Sequence, residues 1–203
     1  MLPAHAAGKD YVSASAYWED TSGQATFEHA QQQPYTPYQG TLSRGYSRSV
    51  HWVRLRIDGA DSAVVGDKLV LRIRPVFLAR ITLFDPADTS PNAKRPRVTG
   101  DLTSWSEAEW QSSNLGFVIP AQPQDRDIWL KLQTNSTHFM MVQAVSTSEA
   151  RRMDHLQGLG YNWACPRFCV NGLMAGNCRD LQRKRNDRKQ RIDRPPVGGL
   201  QKA

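Results

Sequence analysis

The sequence predicts an all-β fold, an antiparallel β-sandwich, and three observations predict it. Strict apolar–polar alternation recurs along the chain, as where Val53, Leu55 and Ile57 oppose Trp52, Arg54 and Arg56. A period of two is the signature of a strand with one buried face. Turn residues punctuate these runs at close spacing, and no stretch shows a convincing long helical period. At 203 residues the chain accommodates one ordinary domain with a segment left over.

Taken in order, residues 1–14 are small and polar without a period and read as loose. Ala16-Tyr17-Trp18 is a short apolar entry, and Glu19-Asp20-Thr21-Ser22-Gly23 is an acidic turn in which Gly23 takes positive φ and Asp20 accepts as an Asx turn does. Thr26 is placed to cap a single helical turn at Phe27-Glu28-His29-Ala30. Pro34 and Pro37 assign Gln31–Gly40 to loop. The strand candidates are Val50–Ile57, Lys68–Arg74, Ala79–Asp85, Leu115–Ile119, Asp127–Gln133 and Phe139–Val145. The last is apolar on both faces, as a central strand is. Asp58-Gly59 and Thr99-Gly100-Asp101 read as turns, Pro86–Pro96 as a polar loop, and Trp105–Asn114 fits no single element. A helix is predicted to start over Glu149–Gln157, with Ser148 as its cap.

These runs place one domain over 11–150 and a separate segment over 151–203. Charge divides at the same point. Residues 1–150 hold 14 Lys+Arg against 15 Asp+Glu, net −1, while 151–203 hold 12 against 4, net +8. The basic character belongs to the tail, and so does any nucleic-acid contact argued from it. The Arg179–Arg194 run lacks the interleaved aromatics that stack on bases. Cys165, Cys169 and Cys178 also lie in the tail, with a spacing that suits no structural zinc site. No apolar period survives beyond Leu159, so the tail reads as disordered. No apolar run reaches the ~18 residues that span a bilayer.

Outward positions of three strand candidates carry Trp52, Arg54, Arg56, Arg72, Arg74, Trp129 and Lys131. Aromatic rings cover the apolar faces of sugars, and guanidinium groups bond hydroxyl and carboxylate oxygens in pairs. This set is therefore the candidate ligand face, suited to an acidic or complex glycan. Two plainer readings stand beside it: arginines stacking on tryptophans within the protein, or a loop covering the face. The carboxylate pairs Glu19/Asp20 and Glu107/Glu109 invite a glycosidase reading. That chemistry needs two carboxyls facing each other ~5–9 Å apart, which neighbours on a turn do not provide. No nucleophile–base motif, metal set or cofactor motif is present, and the expectation is a non-enzyme without a metal or cofactor.

The order of short motifs carries a resemblance. Glu19-Asp20-Thr21-Ser22-Gly23 is followed by Gly45-Tyr46-Ser47 leading into Trp52-Val53-Arg54-Leu55. Leu69-Val70-Leu71, Ile81-Thr82-Leu83-Phe84, Thr99-Gly100-Asp101 and Ile128-Trp129-Leu130-Lys131-Leu132 come next. Over roughly 11–150 the chain resembles the extracellular sensor domain, of the second type, of bacterial seven-transmembrane receptors with diverse intracellular signalling modules. The resemblance implies a periplasmic jelly-roll sandwich similar to carbohydrate-binding modules, ahead of seven membrane helices and an output module. It implies a glycan or other periplasmic small ligand, with a dimerisation or protein-contact module as the alternative. The charged tail stands where that family places its first membrane helix. A frameshift near codon 159 of a longer receptor gene is the expectation that follows, and a genuine basic tail is its alternative. Ala4-His5-Ala6 resembles the end of a secretory signal whose charged and apolar regions are missing.

Overall fold

The computed structural model describes residues 8–61, 65–89, 96–135 and 137–157. The sandwich occupies the first of two compact units, Met1–His155. The second, Leu156–Ala203, lies outside the described residues except for its first two. The predicted disordered tail, its cysteines and its arginine run therefore fall outside them as well.

The elements are β1 (Val12–Asp20), α1 (Phe27–Gln31), β2 (Thr36–Tyr38), β3 (Leu42–Tyr46), β4 (Val50–Ile57), β5 (Lys68–Arg74), β6 (Arg80–Phe84), β7 (Arg97–Thr99), β8 (Leu115–Pro120), β9 (Arg126–Gln133) and β10 (Thr137–Ser146). A second helix, α2, spans 147–157. Two antiparallel sheets form, one of six strands in the order β2-β1-β4-β9-β6-β7 and one of four in the order β3-β10-β5-β8. The fold is the antiparallel β-sandwich the alternation predicts. Among the described residues, no helix is long and apolar enough to cross a membrane.

The inward residues are those the period-two pattern assigns. Val53, Leu55 and Ile57 of β4 meet Leu69, Leu71 and Ile73 of β5, with Ile81, Phe117, Ile119, Ile128, Leu130 and Leu132 filling the layer between the sheets. Burying each such side chain contributes ~1.5–3 kcal/mol, so this layer outweighs every polar contact in the unit. β10 lies between β3 and β5, and Val145 on its outer face is covered by Ala150 and Met153 of α2.

Four expectations change. Thr36–Tyr38 pairs with β1 although Pro37 lies within it, because β2 is an edge strand and its outer side needs no amide donor. Thr99 ends β7 rather than opening a turn. Gly100 (φ +154) follows it, where an added Cβ would meet the Ala79 carbonyl, a close approach that only glycine permits. The N-terminus is ordered earlier than its composition suggests: Tyr11 is buried, its amide donates to the Ala144 oxygen at 2.8 Å, and Asp10 accepts from the Ala144 amide at 2.9 Å. Finally, α2 begins at 147 rather than 149, so Ser148 lies inside it and the Ser146 hydroxyl, not Ser148, accepts from the Glu149 amide at 3.3 Å; its Ala150 and Met153 pack with Val70, Val145 and Trp110 on the outer face of the four-stranded sheet.

Candidate functional site

The seven residues of the predicted face do not share one surface. β4 and β9 are neighbours in the six-stranded sheet, and Arg54 stands opposite Trp129 across them. β5 belongs to the other sheet, so Arg72 and Arg74 lie on the far side of the sandwich. Alternation separates inward from outward along one strand but does not say which sheet the strand joins.

Arg72 is buried beneath α2. Its guanidinium donates to the Asp154 carboxylate at 2.6 Å, and Asp154 also accepts from the Trp110 indole at 2.8 Å and the Asn114 amide at 2.9 Å. Burial pushes the Asp154 carboxyl up, but these bonds, Arg72's first, outweigh it and hold it below its ordinary value. Arg74 donates to Gln143 Oε1 at 3.1 Å. Both arginines thus tie structural elements together.

The other five residues lie on the outer face of the six-stranded sheet, and the segment from Thr26 to Tyr35 covers much of it. Thr26 caps α1 by accepting from the His29 amide at 3.3 Å. That cap points Phe27 at the sheet. Phe27 stacks on Phe84 with centroids 4.7 Å apart and meets Trp129 edge-on at 5.4 Å. Trp52 is fully buried and Trp129 is 8% exposed. Lys131 lies over the Trp52 ring at 5.1 Å and donates to the Ala25 oxygen, and Arg54 lies over Tyr35. Burial pushes the Tyr35 hydroxyl up to about 12 against the nearby Arg54 charge. Arg56 remains exposed and pairs with Asp127 and Asp125. The covering reading therefore describes this face, a loop with one helical turn lying over its rings, while the stacking reading changes partners: Lys131 rather than an arginine lies over Trp52, and Arg54 lies over Tyr35.

The carboxylates are also engaged. Asp20 is buried and accepts from the Ser22 hydroxyl at 2.6 Å and from the amides of Ser22, Gly23 and Ala25. Burial alone would raise its pKa, and the four donors bring it below the ordinary value. Gly23, at φ +68, makes the turn possible. Glu109 holds Arg97 in a fork, with 2.7 Å to Nε and 2.5 Å to Nη2, while Arg97 Nη1 reaches Asp88 at 2.8 Å. Among the described residues, no group of three or more His, Cys, Asp or Glu side chains is placed to hold a metal ion.

An open groove of about 870 Å³ lies at one end of the sandwich. Three inter-sheet connections build it: β3 to β4 (Tyr46, Ser47, Arg48, Ser49, Val50), the approach to β6 (Ala79, Arg80) and β9 to β10 (Gln133, Thr134, Asn135), with Leu102 from the turn after β7. Arg80 and Gln133 are direct cross-strand partners, so their side chains share the outer face of the six-stranded sheet. Tyr46 and Leu102 are 81% and 82% exposed, the most open large apolar side chains described. Ser49 first, then the neighbouring His51 and Ser47, hold the Glu19 carboxyl below its ordinary value against its burial.

Beneath the groove, His51 of β4 meets His138 of β10 across the two sheets, with ring centroids 4.4 Å apart. Both are fully buried, and none of their four ring nitrogens has a hydrogen-bond partner among the described residues. Burial, and then the neighbouring His138, lower the His51 pKa to about 4.

Gly45-Tyr46-Ser47 enters the sequence analysis only among the motifs that carry the resemblance, with no ligand role. The available signal was an exposed tyrosine and arginine after Gly45, which takes φ +66. The convergence of three connections from distant parts of the chain carried no sequence signal. In comparison with known proteins, the sequence model of the 7TMR-DISM extracellular 2 family matches residues 13–146. No curated protein gives a significant match.

Proposed function

The chain belongs to the 7TMR-DISM extracellular 2 family, and from that premise we propose that it binds a carbohydrate in the groove at the end of the sandwich. Membership makes it a sensor domain of a signalling receptor, on the periplasmic side of the intact receptor, in a family that is non-catalytic in general. Ligand class and site are our reading, as is the absence of catalysis in this chain.

One observation carries the reading: Tyr46, 81% exposed, stands over a groove that also presents the amide side chains of Gln133 and Asn135. A tyrosine ring offers an apolar face of the size of a pyranose, and amides both donate to and accept from hydroxyls. Such a mix of apolar surface and few polar groups is what small-ligand sites share.

Magnitudes favour this groove over the tryptophan face. A ligand reaching the Trp52 ring must first displace Phe27, and re-exposing a packed Phe costs about 1.5–3 kcal/mol. A millimolar sugar has only about 4 kcal/mol of binding free energy. Opening the cover would consume roughly 40–75% of it, whereas the groove is already open.

The test is calorimetric titration of the chain with a panel of oligosaccharides, beside Tyr46→Ala and Trp52→Ala. Binding that disappears in Tyr46→Ala and persists in the folded fraction of Trp52→Ala is expected. Binding lost only in Trp52→Ala would return the site to the covered face. No binding at millimolar sugar, with self-association lost in Tyr46→Ala, would make the groove a protein contact instead.

A further inference from the structure

Resting on the carbohydrate reading of the groove, we infer that the ligand is an acidic saccharide, its carboxylate held by Arg48 and Arg80. The inference starts from how arginines are used across the whole unit. Arg56, Arg72, Arg97, Arg126 and Arg152 are in ion pairs. Arg44, Arg54 and Arg151 lie over the rings of Tyr17, Tyr35 and Trp110. Arg74 bonds Met141 and Gln143. Among the described arginines, Arg48 and Arg80 alone have no ion pair, hydrogen bond or ring contact, and both line the same groove.

Among the described residues, no Asp or Glu lines that groove. Two uncompensated guanidinium groups in one concave site raise the local concentration of anions. Their planar forks match a carboxylate, bonding it through two parallel N–H donors. A bare inorganic anion would leave the rest of the site unused. Tyr46 supplies a ring face, and Gln133 and Asn135 supply amides that can donate to and accept from sugar hydroxyls. Carboxylate and pyranose together define a uronic acid or another sugar acid.

The experiment titrates the chain with three probes: a galacturonate trisaccharide, the neutral galactose trisaccharide and inorganic sulfate. Wild type is compared with Arg48→Gln, Arg80→Gln and Tyr46→Ala. The acidic trimer is expected to bind about tenfold or more tightly than the neutral one, with an affinity that falls as salt rises. Each Gln variant should lose about tenfold for the acidic trimer and leave the neutral trimer unchanged, while Tyr46→Ala should weaken both. Equal affinity for the two trimers, or indifference of the acidic trimer to both Gln variants, overturns the acidic assignment and leaves the carbohydrate reading standing. Sulfate binding as tightly as the acidic trimer overturns it in favour of a simple anion site. Failure of both trimers to bind overturns the inference and the reading beneath it together.

Discussion

Acidification should weaken the sandwich at the His51–His138 contact. Both rings are fully buried and touch across the two sheets. The His51 pKa falls from 6.5 to about 4, through burial first, then His138, with Arg44 adding to the effect and Glu19 opposing it. In the unfolded chain the imidazole takes its proton near 6.5, whereas the folded protein resists it until about 4. The unfolded state thus binds more protons inside that window, and stability falls as pH falls through it. At about 1.4 kcal/mol per pH unit, the loss from pH 6.5 to 4 reaches about 3 kcal/mol. For a chain of this size it lowers Tm by roughly 6–12 °C. His51→Phe keeps a ring in the layer, removes the titration and removes buried nitrogens that no partner satisfies. The assay is urea unfolding of wild type and His51→Phe from pH 7.5 to 4.5, where ion-paired carboxylates still contribute little to the slope. The variant should match or exceed wild type at pH 7.5 and lose most of the pH dependence. Parallel pH profiles for the two proteins would show that His51 does not cause the acid loss.

Two further changes test the packing. Asp154→Ala strands the buried Arg72 charge beneath α2 and should destabilise the unit by about 3 kcal/mol in denaturant titration, a loss that Arg72→Met in the same chain partly restores. Phe27→Ala removes the cover over Trp52 and Trp129, should cost about 2–3 kcal/mol, and should shift tryptophan emission to longer wavelength as these rings meet water.

Much of the fold is legible because burial imposes a period. Lys68–Arg74 and Val50–Ile57 were readable to the residue, since one apolar face against one polar face leaves no other register. Asp20 and Thr26 were readable because turn and cap chemistry is local, reaching no more than five residues. Other features depend on contacts distant in sequence. Arg72 reads as a surface guanidinium until Asp154, 82 residues away, closes over it. Trp52 reads as an exposed platform until Phe27 stacks against it. The groove is less legible still. Its walls come from Tyr46, Arg80, Leu102 and Gln133, and only the crossing of the chain between two sheets makes neighbours of them. Sequence reasoning placed an aromatic beside arginines on a face that the fold closes.

We propose that ligand enters the groove between the three inter-sheet connections. Amide chemical-shift mapping of the isotopically labelled chain, titrated with the galacturonate trisaccharide, tests it most directly. Shifts confined to Tyr46–Val50, Ala79–Arg80, Leu102 and Gln133–Asn135 are the predicted result. Shifts centred on Phe27–Gln31 and the β4–β9 face, with the groove amides unmoved, would contradict it.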